Sequence, residues 1–357
     1  MSEDMNISEM LAEQVNRLFT DRMQRQTWVD AEDGRPATAL WTATEQLGIT
    51  LAMSQEAHGG AGLSWTQSEP MLRLCGSHAV PLPIGETAIA AWALSAAGLE
   101  VPEGPMAVST CLYQLDQHDR LQGRDGQLSW LPQVEHVVLL AERQGAAYVC
   151  LVDAHLGERT LINTLDRLPC ARWALSKIGA RRFAAAPAML VTATLQPQIA
   201  ILRSIQMAGA LSKVLESCVE YANTRVQFGK PISSFQAIQH MIAELASQAA
   251  AAQVAGLYGA RQLDAGNPLH GAAVAKAVVG NAASRGAAIA HQVFGAIGVT
   301  DEHSLHYYTR RLWQWRSDAG SEHEWAERLG EQILASDGAS MWSLLTQPIN
   351  QPIMQPG

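Results

Sequence analysis

The spacing of apolar residues predicts helices through the first hundred residues of the chain. Between residues 5 and 25 the apolar side chains fall on one face of a helix, at Met5, Met10, Leu11, Val15, Leu18 and Phe19. Similar spacing predicts further helices over about 37–47, 66–75 and 85–97. We therefore predict an N-terminal helical domain over residues 1–105.

The pattern changes near Pro105, where short runs rich in Val and Leu alternate with turn residues. Such runs are typical of β-strands, and they include GRDGQLSWL at 123–131, HVVLLAE at 136–142 and AAYVCLVDA at 146–154. The pattern predicts a small antiparallel β-domain over residues 106–197. Its Gly-Arg-Asp-Gly motif predicts a hairpin turn.

Long Ala-rich helical patterns return after residue 197, over about 198–223, 234–264, 268–297, 301–315 and 322–335. Long helices joined by short links pack most economically as a four-helix bundle. We assign residues 198–340 to this C-terminal bundle and the Pro- and Gln-rich residues 341–357 to a disordered tail. The expected fold class is α+β, in the order helical domain, β-domain, helical bundle.

Composition narrows the function classes. The chain has 48% hydrophobic and 17% charged residues, as ordinary globular proteins do. A net charge of −9 without basic runs argues against a nucleic-acid partner. No window reaches the roughly 20 apolar residues of a membrane span, and the acidic N-terminus does not resemble a signal peptide. The five scattered cysteines lack metal-ligand spacing, which favours reduced thiols in a cytoplasmic protein.

Residues 225–240, RVQFGKPISSFQAIQH, carry the densest candidate chemistry. A cation and amide side chains at Arg225, Gln227 and Gln236 flank an aromatic residue, Phe228, and a Gly-Lys-Pro turn. A basic residue, amides and a tight turn between two helices suit a ligand that carries phosphate.

This stretch resembles a signature of the acyl-CoA dehydrogenase family. A second block, HQVFGAIGVTDEHSLHYYTRR at 291–311, is similar to a later signature of that family, and HGGAGLSW at 58–65 is a weaker match. Together the blocks place about residues 5–335 on the family pattern. The resemblance implies an acyl-CoA dehydrogenase-like fold, FAD bound where subunits meet, an acyl-CoA thioester substrate and an electron-accepting flavoprotein.

The implied reaction is α,β-desaturation: a base removes the α-proton while the β-hydride passes to the flavin. A proton beside a thioester becomes acidic enough when donors hold the carbonyl and the base is desolvated. The flavin supplies the hydride chemistry and the protein supplies geometry.

The resemblance also implies roles for single residues. Arg225 stands where the family reaches a neighbour's FAD pyrophosphate, and Gln227, Phe228 and Gln236 match further contacts with that cofactor. The structural alternatives are that Arg225 pairs with a surface carboxylate and that Phe228 belongs to the core.

Further matches lie outside this stretch. Gln292 and Gly295 match positions where the family lays backbone against the dinucleotide, and Ala296 replaces a common second glycine. Trp130 resembles the tryptophan that flanks the isoalloxazine ring, with simple strand packing as the alternative.

The catalytic glutamate of the family is missing. Its usual positions fall on Ala319 and close to Ile199, and no acidic residue occurs between residues 167 and 215. Asp318 is the candidate substitute, with Glu322 behind it, if burial raises the pKa of the carboxyl group. The alternative is that Asp318 caps the last helix.

The loop that holds a chain's own flavin is also weakly preserved, over residues 109–120, and Pro132 stands where a threonine is common. Three functions stay open. The chain is a self-sufficient FAD-dependent acyl-CoA dehydrogenase, a non-catalytic partner of a like or related dehydrogenase subunit, or a flavin monooxygenase or oxidase on the same fold.

Overall fold

The structure is a computed structural model that describes residues 2–188, 190 and 194–335. The chain begins with helices, as expected: α1 (Ser2–Arg22), α2 (Arg25–Glu32), α3 (Thr38–Gln46), α4 (Trp65–Ser77) and α5 (Ile84–Ala96). Within the described part of the chain, no helix is long and apolar enough to cross a membrane. The tail predicted for residues 341–357 lies outside the described residues.

The middle of the chain forms a seven-stranded sheet in the order β5-β6-β2-β1-β3-β4-β7. Its strands are β1 (Met106–Leu115), β2 (Arg120–Ser129), β3 (His136–Arg143), β4 (Ala146–Asp153), β5 (Glu158–Leu161), β6 (Cys170–Gly179) and β7 (Arg182–Ala185). The expectation of a purely antiparallel domain is wrong in one pair, because β1 and β3 are parallel. β2 pairs antiparallel with one edge of β1, and β3 pairs with the opposite edge of β1 and runs parallel to it.

The hairpin turn predicted at Gly-Arg-Asp-Gly is also wrong, because residues 123–126 lie within β2. The chain turns instead between β1 and β2, where the Asp116 amide bonds to the Arg120 carbonyl oxygen at 2.9 Å. Gly123 is needed for packing, since a Cβ there would lie 2.4 Å from the Tyr113 ring. A glycine that accommodates a cross-strand aromatic ring explains the motif.

The C-terminal part is helical, as predicted: α6 (Gln196–Thr224), α7 (Gln236–Asp264), α8 (Pro268–Phe294), α9 (Leu305–Ser317) and α10 (Glu322–Ala335). A short hairpin of β8 (Val226–Gln227) and β9 (Lys230–Pro231) separates α6 from α7.

The described residues divide into two compact units. Unit 1 comprises Met1–Leu72 and Pro81–Ile199, and unit 2 comprises Arg73–Val80 and Ala200–Gly357. The division into three domains, ending at residues 105, 197 and 340, stays a prediction.

Unit 1 joins the first helices to the sheet through α5, which is buried nearly all round. The Thr87 hydroxyl accepts from the Met106 amide at 3.0 Å, and the Trp130 indole donates to Glu86 Oε1 at 3.0 Å. The sheet's own core includes Tyr113 and Trp173, both nearly inaccessible to solvent. These contacts tie the start of β1 and the end of β2 to one helix.

Unit 2 is built on close backbone approaches. A Cβ at Gly76 would lie 1.8 Å from the Gln206 carbonyl oxygen, and one at Gly209 would lie 2.0 Å from the Arg73 carbonyl oxygen. Only glycine permits two helix backbones to cross this closely. These glycines explain why residues 73–80 belong to the helical unit.

Candidate functional site

Residues 225–232 form a hairpin at the end of α6. Gln227 lies opposite Lys230, and the two residues between them, Phe228 and Gly229, have φ angles of 53° and 79°. Positive φ at both positions defines a type I′ turn, whose twist matches that of paired strands. The predicted Gly-Lys-Pro turn is therefore the second half of a tight hairpin.

Phe228 at the tip of this hairpin is 91% exposed. Its ring makes an edge contact with Phe235 at 6.0 Å between centroids. A bulky residue in the left-handed region costs about 1–2 kcal/mol. Such strain is concentrated at functional sites. The alternative that Phe228 belongs to the core is wrong, because the hairpin presents the ring to the outside.

Polar side chains surround the tip. Arg225, Gln227 and Gln236 are all exposed. Within the described residues, none of these side chains has a hydrogen-bond or ion-pair partner in the chain. Arg225 therefore does not form the surface ion pair that is its structural alternative. The set is available to a ligand or another chain.

The second signature block lies at the C-terminus of α8. Gly295 has φ 62° and ψ −141°, and nothing lies within 4 Å of where its Cβ would be. Residues other than glycine essentially never adopt this backbone conformation. Gln292, one turn earlier, is exposed. An open backbone at Gly295 beside an exposed amide permits a close approach by a ligand.

Ring stacking brings the two signature blocks together within unit 2. Tyr221, one turn before Arg225, stacks on Phe294 with centroids 4.5 Å apart and planes 24° apart. Phe294 directly precedes Gly295 and also contacts the His303 ring at 4.4 Å. Stacked aromatic pairs of this geometry contribute about 0.5–1.5 kcal/mol beyond burial. We did not single out Tyr221 or Phe294 from the sequence, since neither carries polar chemistry.

The histidines nearby have structural partners. His303 Nδ1 accepts from the amide of Leu305, the first residue of α9, at 3.0 Å. His291 Nε2 lies 3.0 Å from Thr309 Oγ1, and its ring stacks on Trp313. Burial lowers the pKa of both imidazoles. They are therefore neutral at neutral pH and serve as packing and capping groups.

Trp130 lies in unit 1, apart from these residues in the sequence. It is 4% exposed, has a φ of 68°, and belongs to the core of the sheet. Its indole N–H is satisfied by Glu86. Trp130 directly follows the last residue of β2 and is held by the core of the sheet and by the hydrogen bond to Glu86.

Residues 109–120, the segment that would hold the chain's own flavin, lie in the second part of β1 and the turn that follows it. The pairing of β1 with β3 is irregular between Val108 and Leu112. Ser109 Oγ donates to Asp125 Oδ2 at 2.6 Å, and Ser109, Tyr113 and Asp125 are all buried. Burial raises the pKa of Tyr113 far above its ordinary value. This stretch is therefore filled by its own side chains.

Asp318, the candidate base, lies at the C-terminus of α9 and is 7% exposed. Arg203 Nε donates to its Oδ2 at 3.0 Å and Gln314 Nε2 donates to its Oδ1 at 2.8 Å. Both carboxylate oxygens are thus engaged, Oδ2 in a buried ion pair and Oδ1 in a hydrogen bond from a neutral amide. The other family positions carry no acid: Ala319 has a φ of 55°, and Ile199 is buried.

The alternative that Asp318 caps the last helix is also wrong. The amide of Ser321 donates to the Glu324 carboxylate, and the amide of Glu324 donates to Ser321 Oγ at 3.2 Å. This reciprocal pair is a capping box. Glu322 pairs instead with Arg316; burial opposes ionisation, but the arginine and the α10 N-terminus together lower the pKa of the glutamate.

A buried lysine completes this region. Lys276 of α8 is fully inaccessible, and its Nζ donates to the carbonyl oxygens of Trp315, Arg316 and Asp318 at 2.8, 2.8 and 2.9 Å. Burying an ammonium group costs several kcal/mol, whereas each hydrogen bond from a charged donor returns roughly 1.5–3 kcal/mol. Sequence reasoning missed both Lys276 and Arg203, although a lone cation inside an apolar helical run was the available signal.

Comparison with known proteins follows this geometry. Residues 197–322 match the family model for the acyl-CoA dehydrogenase C-terminal domain. Acyl-CoA dehydrogenase IpdE2 of Mycobacterium tuberculosis is 41% identical over 112 residues, which cover 31% of this chain and 34% of the relative. FadE34 of the same organism is 39% identical over 127 residues, covering 35% of this chain and 18% of the relative. The aligned part thus spans only 34% and 18% of these relatives' lengths.

Solved structures share the fold over nearly the whole chain. The ChsE4-ChsE5 complex from Mycobacterium tuberculosis contains a chain that matches with a TM-score of 0.84 at 22% identity, covering 93% of this chain and 98% of that one. A chain of the Tcur3481-Tcur3483 steroid ACAD (G363A variant) matches with a TM-score of 0.83 at 24% identity, covering 94% of this chain and 99% of that one. Residues 197–322 of this chain are therefore similar to the C-terminal domain of acyl-CoA dehydrogenases, and the chain shares its fold with the solved structures.

Proposed function

We propose that this chain is one subunit of a heteromeric acyl-CoA dehydrogenase. Its hairpin would complete the FAD site of a related dehydrogenase subunit, which would supply the catalytic base. One contrast carries the proposal. Arg225, Gln227 and Gln236 are exposed, with no side-chain hydrogen bond or ion pair within the described chain, whereas the carboxylate of Asp318, next to the usual base position, is buried and bonded at both oxygens.

The exposed set suits the phosphate end of a dinucleotide. The guanidinium of Arg225 offers paired N–H donors that match phosphate oxygens. The open backbone at Gly295 lets a ligand approach without meeting a Cβ. FAD, when bound, supplies the hydride-accepting chemistry. The residues of this chain would bind and orient it from outside the neighbouring subunit.

The chain's own middle domain does not fit a flavin of its own. β1 and β2 are joined by a tight turn at Asp116–Asp119 instead of a long loop. Ser109 and Asp125 bond to each other in the space beside Tyr113. A cofactor placed here would have to displace this buried network. This misfit supports the view that flavin is held only at the junction with another subunit.

The substrate class we propose is a bulky acyl-CoA thioester, such as one with a steroid side chain. Support comes from two structures of similar fold, the ChsE4-ChsE5 complex and the Tcur3481-Tcur3483 steroid ACAD. In the assembled enzyme the related subunit would remove the α-proton. Electrons would leave through an electron-accepting flavoprotein.

The test is flavin content, measured as the ratio of flavin absorbance to protein. We expect the purified chain alone to carry substoichiometric FAD and no dehydrogenase activity, and co-expression with a companion dehydrogenase chain to restore both. In the complex, Arg225→Ala should lower FAD affinity at least tenfold, as expected for loss of a charge-assisted contact. Arg261→Ala is the matched control, since Arg261 is an exposed arginine of α7.

Other outcomes identify the alternatives. Full FAD occupancy with acyl-CoA desaturation by the lone chain would show a self-sufficient dehydrogenase, in which Asp318 is the candidate base. Rapid oxygen consumption by reduced flavin without enoyl-CoA would show a monooxygenase or oxidase. Either result contradicts the partner-subunit proposal.

A further inference from the structure

The last turn of α9 ends on a buried ammonium group. A helix leaves its final carbonyl oxygens without partners inside the helix. Lys276 reaches from α8 and donates to the carbonyl oxygens of Trp315, Arg316 and Asp318. An ammonium group has three N–H donors. Every donor is therefore used on the segment where α9 ends.

The loop that follows is strained and held at several points. Ala319 and Gly320 both have positive φ, 55° and 97°, so the chain turns through two left-handed residues. Trp325 Nε1 donates to the Ala319 carbonyl oxygen at 2.9 Å. Arg203 and Lys276 hold the Asp318 carboxylate and carbonyl. Because alanine disfavours this conformation, surrounding contacts must impose it.

The charges around Lys276 come from each neighbouring helix. Arg203 on α6, Arg316 and Asp318 at the end of α9 and Glu322 on α10 all act on it. Two arginines and two carboxylates offset each other, so the ammonium carries the net charge of the cluster. Burial lowers the pKa of Lys276 to about 7, while Asp318 opposes that effect. The three hydrogen bonds to carbonyl oxygens offset the cost of burying this group, and they exist only while residues 315–318 keep their conformation.

We propose that Lys276 is a positioning residue: together with the Arg203–Asp318 ion pair it holds residues 318–321 in one conformation. This is the loop at which the family resemblance places a catalytic base. In this chain the loop is a fixed structural element. The inference depends on the geometry of unit 2 and not on which subunit performs the chemistry.

The test is amide hydrogen exchange on the full-length chain. The amides of Asp318, Ser321 and Trp325 report on the loop, because each donates a hydrogen bond there. Lys276→Met removes the donors at similar length, and we expect loop protection to fall at least tenfold while protection in α7 is unchanged. Lys276→Gln retains amide donors and should give intermediate protection. Lys213→Met, an exposed lysine of α6, is the matched control.

The outcomes separate positioning from general stability. Unchanged loop protection in Lys276→Met overturns the proposal. An equal loss of protection throughout α6–α10 also overturns it, since that pattern means that the lysine supports the whole unit. If Lys276→Met does not fold, Lys276→Gln decides: a loss confined to residues 318–321 supports the proposal, and wild-type protection there overturns it. None of these readouts requires flavin, so the partner-subunit proposal fails or stands separately.

Discussion

At the scale of single residues, two side chains are placed against their own preferences. Phe228 is exposed in a left-handed conformation at the hairpin tip, and Asp318 is a buried carboxyl residue paired with Arg203. Neither arrangement follows from local propensity. Phe228 places its ring on the surface of the chain, and Asp318 is buried because it pairs with Arg203.

Replacing Phe228 should separate stability from assembly. Asparagine tolerates left-handed backbone far better, so Phe228→Asn should raise the free energy of unfolding by up to about 1 kcal/mol. Loss of an exposed aromatic anchor should weaken association with the related subunit by about 2 kcal/mol or more. Denaturant unfolding and sedimentation titration measure the two effects. Phe228→Tyr keeps the ring and should keep the association; equal binding by both variants would exclude the ring as an anchor.

Replacing Asp318 should show what its carboxylate does. Asp318→Asn removes one partner of a buried ion pair and leaves Arg203 uncompensated, which costs about 3–5 kcal/mol. Urea unfolding should reveal this loss, and the exposed Asp21→Asn in α1 should show none. Lost turnover at unchanged stability would instead assign Asp318 as a base, contrary to the structure-based expectation.

At the scale of elements, glycine positions decide where helices end and how closely they approach. Gly76 and Gly209 permit a backbone crossing that any side chain would block. Gly295 ends α8 in a conformation that is almost confined to glycine. In unit 2, glycines therefore help to determine where α8 ends and how closely helix backbones approach, in addition to apolar packing.

Gly295→Ala tests this at the end of α8. Because space around the position is open, the effect should be backbone strain alone, a loss of about 1–3 kcal/mol. Gly330→Ala is the matched control, since that glycine lies inside α10 with nothing near its Cβ. The control should stabilise by about 0.5–1 kcal/mol. Equal melting temperatures for both variants would contradict the strain argument.

At the scale of the whole molecule, the chain combines exposed polar side chains around the hairpin with a buried, hydrogen-bonded carboxylate at Asp318. Within the described chain Arg225, Gln227 and Gln236 have no side-chain hydrogen bond or ion pair, whereas the α9–α10 loop has several hydrogen bonds. A protein arranged in this way is suited to complete a site in another subunit. The free energy of unfolding should also depend on the protonation of the buried Lys276.

The pH dependence of unfolding should report Lys276. The pKa of this lysine is about 7 in the folded protein, against 10.5 for an ordinary lysine, so the unfolded state binds more protons between those limits. Stability from this group is therefore lowest below pH 7 and rises with pH through that window. Between about pH 7 and 9 wild type should gain up to about 2.5 kcal/mol relative to Lys276→Met. Parallel urea-unfolding curves for the two proteins across this range would contradict the assignment.

The order of helices and strands and the resemblance to acyl-CoA dehydrogenases could be predicted from the sequence, because both depend on local information. Helical periodicity, strand runs and the 225–240 motif are read directly from neighbouring residues. The parallel pairing of β1 and β3 was missed, because the side that a returning strand takes depends on contacts with distant strands. The turn predicted at Gly123 failed for the same reason, since its glycine serves a ring on another strand.

The sequence alone therefore determined which helices and strands form, and which side chains resemble a shared FAD site. Tertiary structure decided which of those side chains are available. It left Arg225 and Phe228 exposed, and it used Asp318, Arg203 and Lys276 on one another. The physical reason is that burial and pairing of a charge depend on helices that are far apart in sequence. A carboxylate at a promising position becomes structural once a buried cation reaches it.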